Sequence, residues 1–259
     1  MTTDNSKRSA AKIAIVTGGS RGLGRNTVLH LAQRGVRSIF TYHQNRAEAE
    51  NVVAAVREAG ASAIALQLDA SDIRSFDGFV DRVRVALAEL GAERFDYLVN
   101  NAGTGLHKSI ADTTEQEFDA LVNVHLKGVF FLTQRLLPLL ADGGRIINLS
   151  SGLARFSTPG TAAYAMMKGG IEVFTRSLAK ELGRRQITAN TVAPGAIETD
   201  FNGGQVRDNP DLNRMVAQAT ALGRPGVPDD IGPMIAGLLS DDNRWVNAQR
   251  IEVSGGMNI

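Results

Sequence analysis

The stretch Lys12-Ile13-Ala14-Ile15-Val16-Thr17-Gly18-Gly19-Ser20-Arg21-Gly22-Leu23-Gly24 decides the fold. Four apolar residues run straight into a glycine-rich turn and an amphipathic segment, Leu23–Gln33, follows, so the order is strand, tight turn, helix. Glycines in such a turn let the chain bend sharply, let its backbone approach a pyrophosphate and let helix and strand pack closely. The helix N-terminus then offers unpaired N–H groups to the anion. Candidate contacts are Gly18, Ser20, Arg21, Gly22, Leu23 and Gly24. The spacing is Gly-x-x-x-Gly-x-Gly rather than the commoner Gly-x-Gly-x-x-Gly, and a purely structural turn is the competing reading.

Outward from this turn, short β-branched or apolar runs alternate with longer amphipathic ones. The spacing predicts strands over Ile13–Thr17, Ser38–Tyr42, Ala63–Leu68, Tyr97–Val99, Arg145–Leu149, Thr188–Val192 and Arg250–Val253. Helices are predicted over Leu23–Gln33, Ala47–Ala59, Ile73–Leu90, Glu115–Leu140, Ala163–Leu182 and Asp229–Leu239. This is the signature of an α/β fold, a single doubly wound, Rossmann-type parallel sheet of seven strands with helices on both faces. Residues 12–259 form one domain in this reading, after a polar tail over residues 1–11. The stretch Thr199–Arg224, rich in Asn, Gly, Gln and Asp, breaks the rhythm. Irregular segments beside the carboxyl ends of parallel strands are where such sheets bind ligands; a plain surface excursion is the alternative.

Composition closes off other chemistries. The 259 residues contain no cysteine, which removes thiolate catalysis, disulfides, iron–sulfur clusters and cysteine zinc sites. A formal charge of +1 without a basic block argues against nucleic-acid binding. His30, His43, His107 and His125 show no ligand-like spacing with carboxylates, so no metal is expected. No apolar run reaches the length of a membrane span and no secretory signal precedes the first strand, so a soluble cytoplasmic protein is expected.

A carboxylate at the end of the second strand would bond the ribose hydroxyls of NAD and repel a 2′-phosphate. Tyr42 holds that position, His43-Gln44-Asn45-Arg46 follow, and none is acidic. Arg21 supplies a guanidinium able to take a phosphate in bidentate fashion, which favours NADP(H); a solvated surface arginine and an idle loop histidine are the alternatives. Further along, Tyr164-Ala165-Met166-Met167-Lys168 places a phenol and an ammonium on one face of a helix. A free phenol is a poor proton donor at neutral pH unless a cation stabilises its phenolate. Ser151 ends the strand Arg145–Leu149 thirteen positions before Tyr164, so its hydroxyl is expected at the carboxyl edge of the sheet.

From Lys12 to Gly256 the sequence resembles the short-chain dehydrogenase/reductase family. The motifs that carry the resemblance are the Thr17–Gly24 turn, Asp69, Asn100-Asn101-Ala102-Gly103, Ser151/Tyr164/Lys168, Pro194-Gly195 with Thr199, and Ser254-Gly255-Gly256. The resemblance implies hydride transfer between a nicotinamide and a carbonyl or secondary alcohol. In it Tyr164 is the general acid or base, Ser151 hydrogen-bonds the carbonyl oxygen, and Lys168 holds the nicotinamide ribose and lowers the tyrosine pKa. It further implies that Asp69 and Ala70 meet the adenine, that Asn101, Ala102 and Gly103 line the cofactor cleft with Pro194 and Gly195, and that Ile197 and Thr199 meet the carboxamide.

His125-Leu126-Lys127-Gly128-Val129-Phe130 departs from the family pattern, which often has Asn at the first place, holding a water that leads to the lysine. His125 is expected to take over that water; a core histidine with satisfied hydrogen bonds is the competing reading. Asn123 lies about 200° away on a regular helix and substitutes only if the helix is distorted. Leu106, His107, Phe156, Thr158, Phe201 and the Asn202–Arg224 stretch are expected to shape the substrate pocket. The resemblance also implies a homotetramer, or a homodimer, joined through the two long helices. A 3-oxoacyl-thioester reductase of the same family and a non-catalytic dinucleotide-binding regulator are the rival functions.

Overall fold

Strands buried on both faces read as nearly continuous apolar runs, and the central ones here do: Ile13–Val16 (β1) is buried at every position. The computed structural model describes residues 11–259, so the expected tail, apart from Ala11, lies outside the described residues. The other strands are β2 (Arg37–Tyr42), β3 (Ala63–Gln67), β4 (Phe95–Asn100), β5 (Leu140–Leu149), β6 (Thr188–Pro194) and β7 (Arg250–Val253). All pair in parallel in the order β3-β2-β1-β4-β5-β6-β7. The chain winds outward from β1 to β3, then crosses to β4 and winds the other way. The winding reverses between β1 and β4, which opens a crevice beyond their carboxyl ends.

Helices cover both faces. One core holds Val28 and Leu31 of α1 (Gly22–Gln33), Val52 and Val56 of α2 (Arg46–Glu58), and Ile235 and Leu238 of α9 (Gly232–Leu238). The other holds Phe79, Val83 and Leu87 of α3 (Phe76–Glu89), Leu132 and Leu136 of α5 (Val129–Leu136), and Leu178 and Leu182 around the end of α6 (Ala162–Glu181). A buried polar chain pins this second layer to the sheet. Asn100 Nδ2 donates to Thr133 Oγ1 at 3.1 Å and to Asn148 Oδ1 at 2.8 Å, and Asn148 Nδ2 donates to Thr175 Oγ1 at 2.9 Å.

Two expectations are corrected. The helix expected over Glu115–Leu140 is not continuous: α4 (Glu115–Val122) passes into a π-helical stretch, Asn123–Gly128, then α5, then a 3₁₀ turn at Leu137–Leu139. Pro138 lies in that final turn, and Leu140 already belongs to β5, which starts five residues before the expected Arg145. The Thr199–Arg224 stretch is not irregular throughout. It contains a short helix α7 (Gln205–Asp208) and a two-turn helix α8 (Pro210–Gln218). The signal for α8 was present: Asn209 Oδ1 accepts from Asp211 N and Leu212 N at 3.0 and 3.2 Å, and Pro210 occupies the first helical position.

Replacing Asn148 with Ala strips two buried hydrogen bonds from that chain and leaves the Asn100 amide with one partner. Asn148→Ala is expected to cost about 2–3 kcal/mol in urea unfolding; an unchanged midpoint would show that the chain does not tie α5 and α6 to the sheet.

Candidate active site

The glycine-rich turn meets the crevice first. Gly18 and Gly22 have φ of 66° and 53°, a region that an L side chain strains to adopt. A methyl on Gly24 would run into the Gly18 carbonyl, so the N-terminus of α1 presses against the turn. Asn101, expected to line the cleft, fastens the turn instead: its Nδ2 donates to Thr17 O at 2.8 Å and to Gly18 O at 3.1 Å. Thr17 Oγ1 accepts from the amides of Asn101 and Ala102 at 2.9 and 3.0 Å, locking β1 to the end of β4. Ser20 is buried, Leu23 is half-buried against the core, and Arg21 is exposed at the N-cap of α1, whose first turn has no acidic residue to repel an anion. Thr199 comes across from the end of β6 to face Gly22, and accepts from Phe201 N through its Oγ1 at 3.2 Å. Pro194 ends β6, Gly195 N donates to Val253 O at 3.1 Å, and Ile197 bridges to Gly226.

At the far end of the crevice Tyr42 closes β2, and the exposed His43 has its Nε2 3.6 Å from Asp69 Oδ2. Burial alone would push the Asp69 carboxyl up, but hydrogen bonds from Ser71 and the nearby His43 hold it below the usual range. An open cleft of about 740 Å³ lies here, lined among others by His43, Gln44, Leu68 and Asp69. Arg46 pairs with Glu50 at 2.8 Å, and Arg82 also lines the cleft.

Ser151, Tyr164, Lys168 and His125 gather at the carboxyl end of β5. Ser151 has an extended backbone and its Oγ accepts from Leu153 N at 3.2 Å. Lys168, one turn after Tyr164 on α6, is buried; its Nζ donates to Leu149 O at 2.8 Å and sits 5.4 Å from the centre of the Tyr164 ring. Burial lowers this ammonium from 10.5 to about 8. The Tyr164 phenol is pushed up by loss of water. The physical reason is placement: the ammonium is bonded to a carbonyl and faces the ring, and desolvation is what acts on the phenol.

The π-helical stretch delivers His125, not Asn123, to the site. Its ring stands edge-on to Tyr164 with centroids 5.4 Å apart, and a methyl on Gly103 would come within 2.7 Å of His125 Cε1. Nε2 lies 2.6 Å from Thr104 O, so it carries the proton and donates, leaving Nδ1 as the acceptor. Burial, and then the Lys168 charge, lower the imidazole pKa to about 3, so it is neutral across the physiological range. Gly128, at the end of the same stretch, lies so close to Ala70 O that a methyl would collide with it.

The pocket walls come from several loops. Phe201 tilts over Tyr164 with ring centroids 6.1 Å apart. Asn202, at φ 53°, lays its amide over Gly105, where any side chain would collide. His107 crosses Gly160, and Phe156 crosses Gly152. Sequence reasoning missed Thr104 and Gly105. The only signal for them was their position directly after the Asn100–Gly103 motif. Among the described residues no cluster of metal-ligating side chains occurs and no helix is long and apolar enough to cross a membrane.

A glycine turn at the winding reversal, with a tyrosine, lysine and serine beside it, defines a nicotinamide-dependent oxidoreductase site. The comparisons place it more narrowly. Residues 18–258 match the family model described as enoyl-(acyl carrier protein) reductase. The chain is 35% identical to a hydroxynaphthalene reductase-like protein of Metarhizium brunneum, over 95% of each chain. Among solved structures it superposes on an angucycline C-6 ketoreductase with bound NADP at a TM-score of 0.91, with 33% identity over 95% of each chain. A promiscuous reductase that catalyses keto-reduction at C1 in lugdunomycin biosynthesis gives 0.88 and 37% identity, over 96% of this chain and 98% of that one. The chain belongs to the short-chain dehydrogenase/reductase family, and is an NAD(P)-dependent reductase acting on carbonyl and hydroxyl groups.

Below about pH 8 Lys168 is charged in both folded and unfolded chains; between 8 and 10.5 only the unfolded chain keeps the proton. Folding stability from this group therefore rises with pH across that window. Selective NMR of the lysine ε-methylenes is expected to show one resonance titrating near 8, absent in Lys168→Met. A Lys168 midpoint in the ordinary lysine range would contradict the desolvated ammonium.

Proposed function

We propose that the protein is an NADPH-preferring ketone reductase acting on planar aromatic carbonyl compounds, with the whole described chain serving as one cofactor-binding and catalytic domain. The observation that carries the reading is the convergence of Ser151, Tyr164 and Lys168 on one end of β5, next to the glycine turn. The turn suits a dinucleotide: glycine at 18 and 24 lets it pack tightly on Asn101 and Ala102 and on the start of α1, and α1 presents an N-terminus free of acids. Arg21 and His43 are the groups for a 2′-phosphate, and Asp69 with Ala70 would border the adenine. Ala102 and Gly103 would line the middle of the cleft, and Pro194, Gly195, Ile197 and Thr199 the carboxamide end.

Bound NADPH supplies the hydride. The Ser151 hydroxyl donates a hydrogen bond to the substrate carbonyl, and the Tyr164 phenol, kept protonated by its burial, gives its proton to the same oxygen. Lys168 below about pH 8 is a cation facing the ring that must carry the developing phenolate. Phe201 tilted over Tyr164 gives the substrate an aromatic wall, which suits fused rings. The named relatives act on such molecules: a tetrahydroxynaphthalene reductase of Pestalotiopsis fici is 35% identical, and the angucycline enzyme reduces a ketone of that class. A 3-oxoacyl thioester is the second reading; it shares the acyl-carrier substrate, though not the reduced bond, with the description of the family model.

The same reading takes the enzyme as cytoplasmic and as a homotetramer, or a homodimer, built on the outer faces of α5 and α6, where Phe130, Met166 and Val173 are exposed. Light scattering is expected to give four chains' mass or two; a monomer contradicts it.

Tyr164→Phe is expected to lower kcat on a tetralone-type ketone by at least about a thousandfold, while fluorescence titration with NADPH stays as in the parent. The same titration should show NADPH binding tighter than NADH, with the gap closing in Arg21→Ala. Full activity in Tyr164→Phe overturns the proton donor, tighter NADH binding overturns the phosphate clamp, and turnover of acetoacetyl thioesters alone favours the second reading.

A further inference from the structure

Leu149 ends β5, Ser150 and Ser151 follow it, and all three are held by side chains from elsewhere in the fold. Lys168 Nζ takes the Leu149 carbonyl at 2.8 Å. Ser150 Oγ lies 2.7 Å from Glu172 Oε1 and 3.2 Å from Lys168 O. The Ser151 carbonyl accepts from Arg250 Nη2 at 3.2 Å, a contact across 99 residues of sequence from the edge strand β7.

Arg250 is itself held on two other sides. Its Nε donates to Glu172 Oε1 at 2.7 Å and its Nη1 to Glu252 Oε2 at 2.8 Å, with all three side chains at most 22% exposed. Glu252 is in turn gripped by Arg155, whose Nε and Nη2 donate to Oε2 and Oε1 at 2.7 and 2.9 Å. A guanidinium presents donors in a rigid planar fork, so fixing two of its edges on carboxylates fixes where the third points. An ammonium has three donors, but they radiate from one nitrogen and do not span these partners as the planar fork does.

We propose that Arg250 is a positioning residue: oriented by Glu172 and Glu252, it pins the Ser151 carbonyl and thereby sets the direction of the Ser151 hydroxyl towards the substrate oxygen. The inference rests on the reading of Ser151 as the hydroxyl that binds the carbonyl. The geometry around Ser151 is consistent with it at both ends of the residue, since its Oγ is oriented by Leu153 N and its carbonyl by Arg250. A hydroxyl displaced by a fraction of an ångström from the reacting oxygen loses its effect in the transition state more than in binding.

The test compares Arg250→Met, Arg250→Lys and Arg145→Met in the full chain with NADPH and an aromatic ketone, and Tyr164→Phe alongside. Arg250→Met is expected to lower kcat between about ten- and a hundredfold, with the ketone KM and the NADPH dissociation constant within about twofold of the parent. Arg250→Lys, which can still reach one carbonyl, should recover part of the loss. Arg145→Met breaks the ion pair with Asp241 further back along β5 and leaves Arg250, its two carboxylate anchors and its bond to Ser151 in place. It should lower the melting temperature about as much as Arg250→Met yet keep kcat within about threefold. If kcat instead tracks the melting temperature across these variants, or if Arg250→Met keeps full kcat while Tyr164→Phe is inactive, the positioning role is overturned. An active Tyr164→Phe would sink the underlying function reading instead, whatever Arg250→Met shows.

Discussion

A lysine ammonium taken out of water must find a carbonyl or an anion, and Lys168 finds the carbonyl of Leu149. That one bond ties the middle of α6 to the carboxyl end of β5. Because Tyr164 precedes Lys168 by one helical turn, its phenol is carried to the sheet edge, and because Ser151 follows Leu149 by two residues, its hydroxyl emerges beside it. The charge is costly to bury, and that burial lowers its pKa. The two cores on either side of the sheet hold α6 and β5 rigid enough for the arrangement to persist.

A second constraint is close approach. Glycines around the winding reversal permit close contacts: Gly24 with the Gly18 carbonyl, Gly128 with the Ala70 carbonyl, and Gly103 with the His125 ring. The π-helical stretch belongs to this packing. Its wider turn places His125 under the loop after β4, where one hydrogen bond to Thr104 fixes the ring's tautomer and its edge faces Tyr164. The imidazole is neutral, so it shapes the site without adding charge.

The βα alternation, the seven strands and the turn after β1 were legible because each rests on local chemistry: apolar runs, glycines and caps within a few residues. Strand end and helix pitch place Ser151, Tyr164 and Lys168 by counting, but their proposed roles came from the resemblance. What escaped was non-local or depended on a local irregularity. The π-helical stretch carries no composition signal, since Asn123–Gly128 is ordinary helix sequence, so the unbroken helix to Leu140 was the natural expectation and the wrong one. Helix α8 was hidden in a polar stretch although Asn209-Pro210 announced it. The fastening role of Asn101 and the upward shift of the Tyr164 phenol depend on partners, or on the exclusion of water, that only the folded chain supplies.

The account stands most directly on where the hydride and the proton go. The decisive measurement is incubation with NADPH deuterated at the transferable C4 position and an aromatic ketone, with mass spectrometry and NMR of the alcohol. The account predicts one deuterium on the carbinol carbon and none at any other position of the alcohol, with transfer abolished in Tyr164→Phe. Alcohol formed without deuterium, or equal deuterium transfer in Tyr164→Phe, would contradict it.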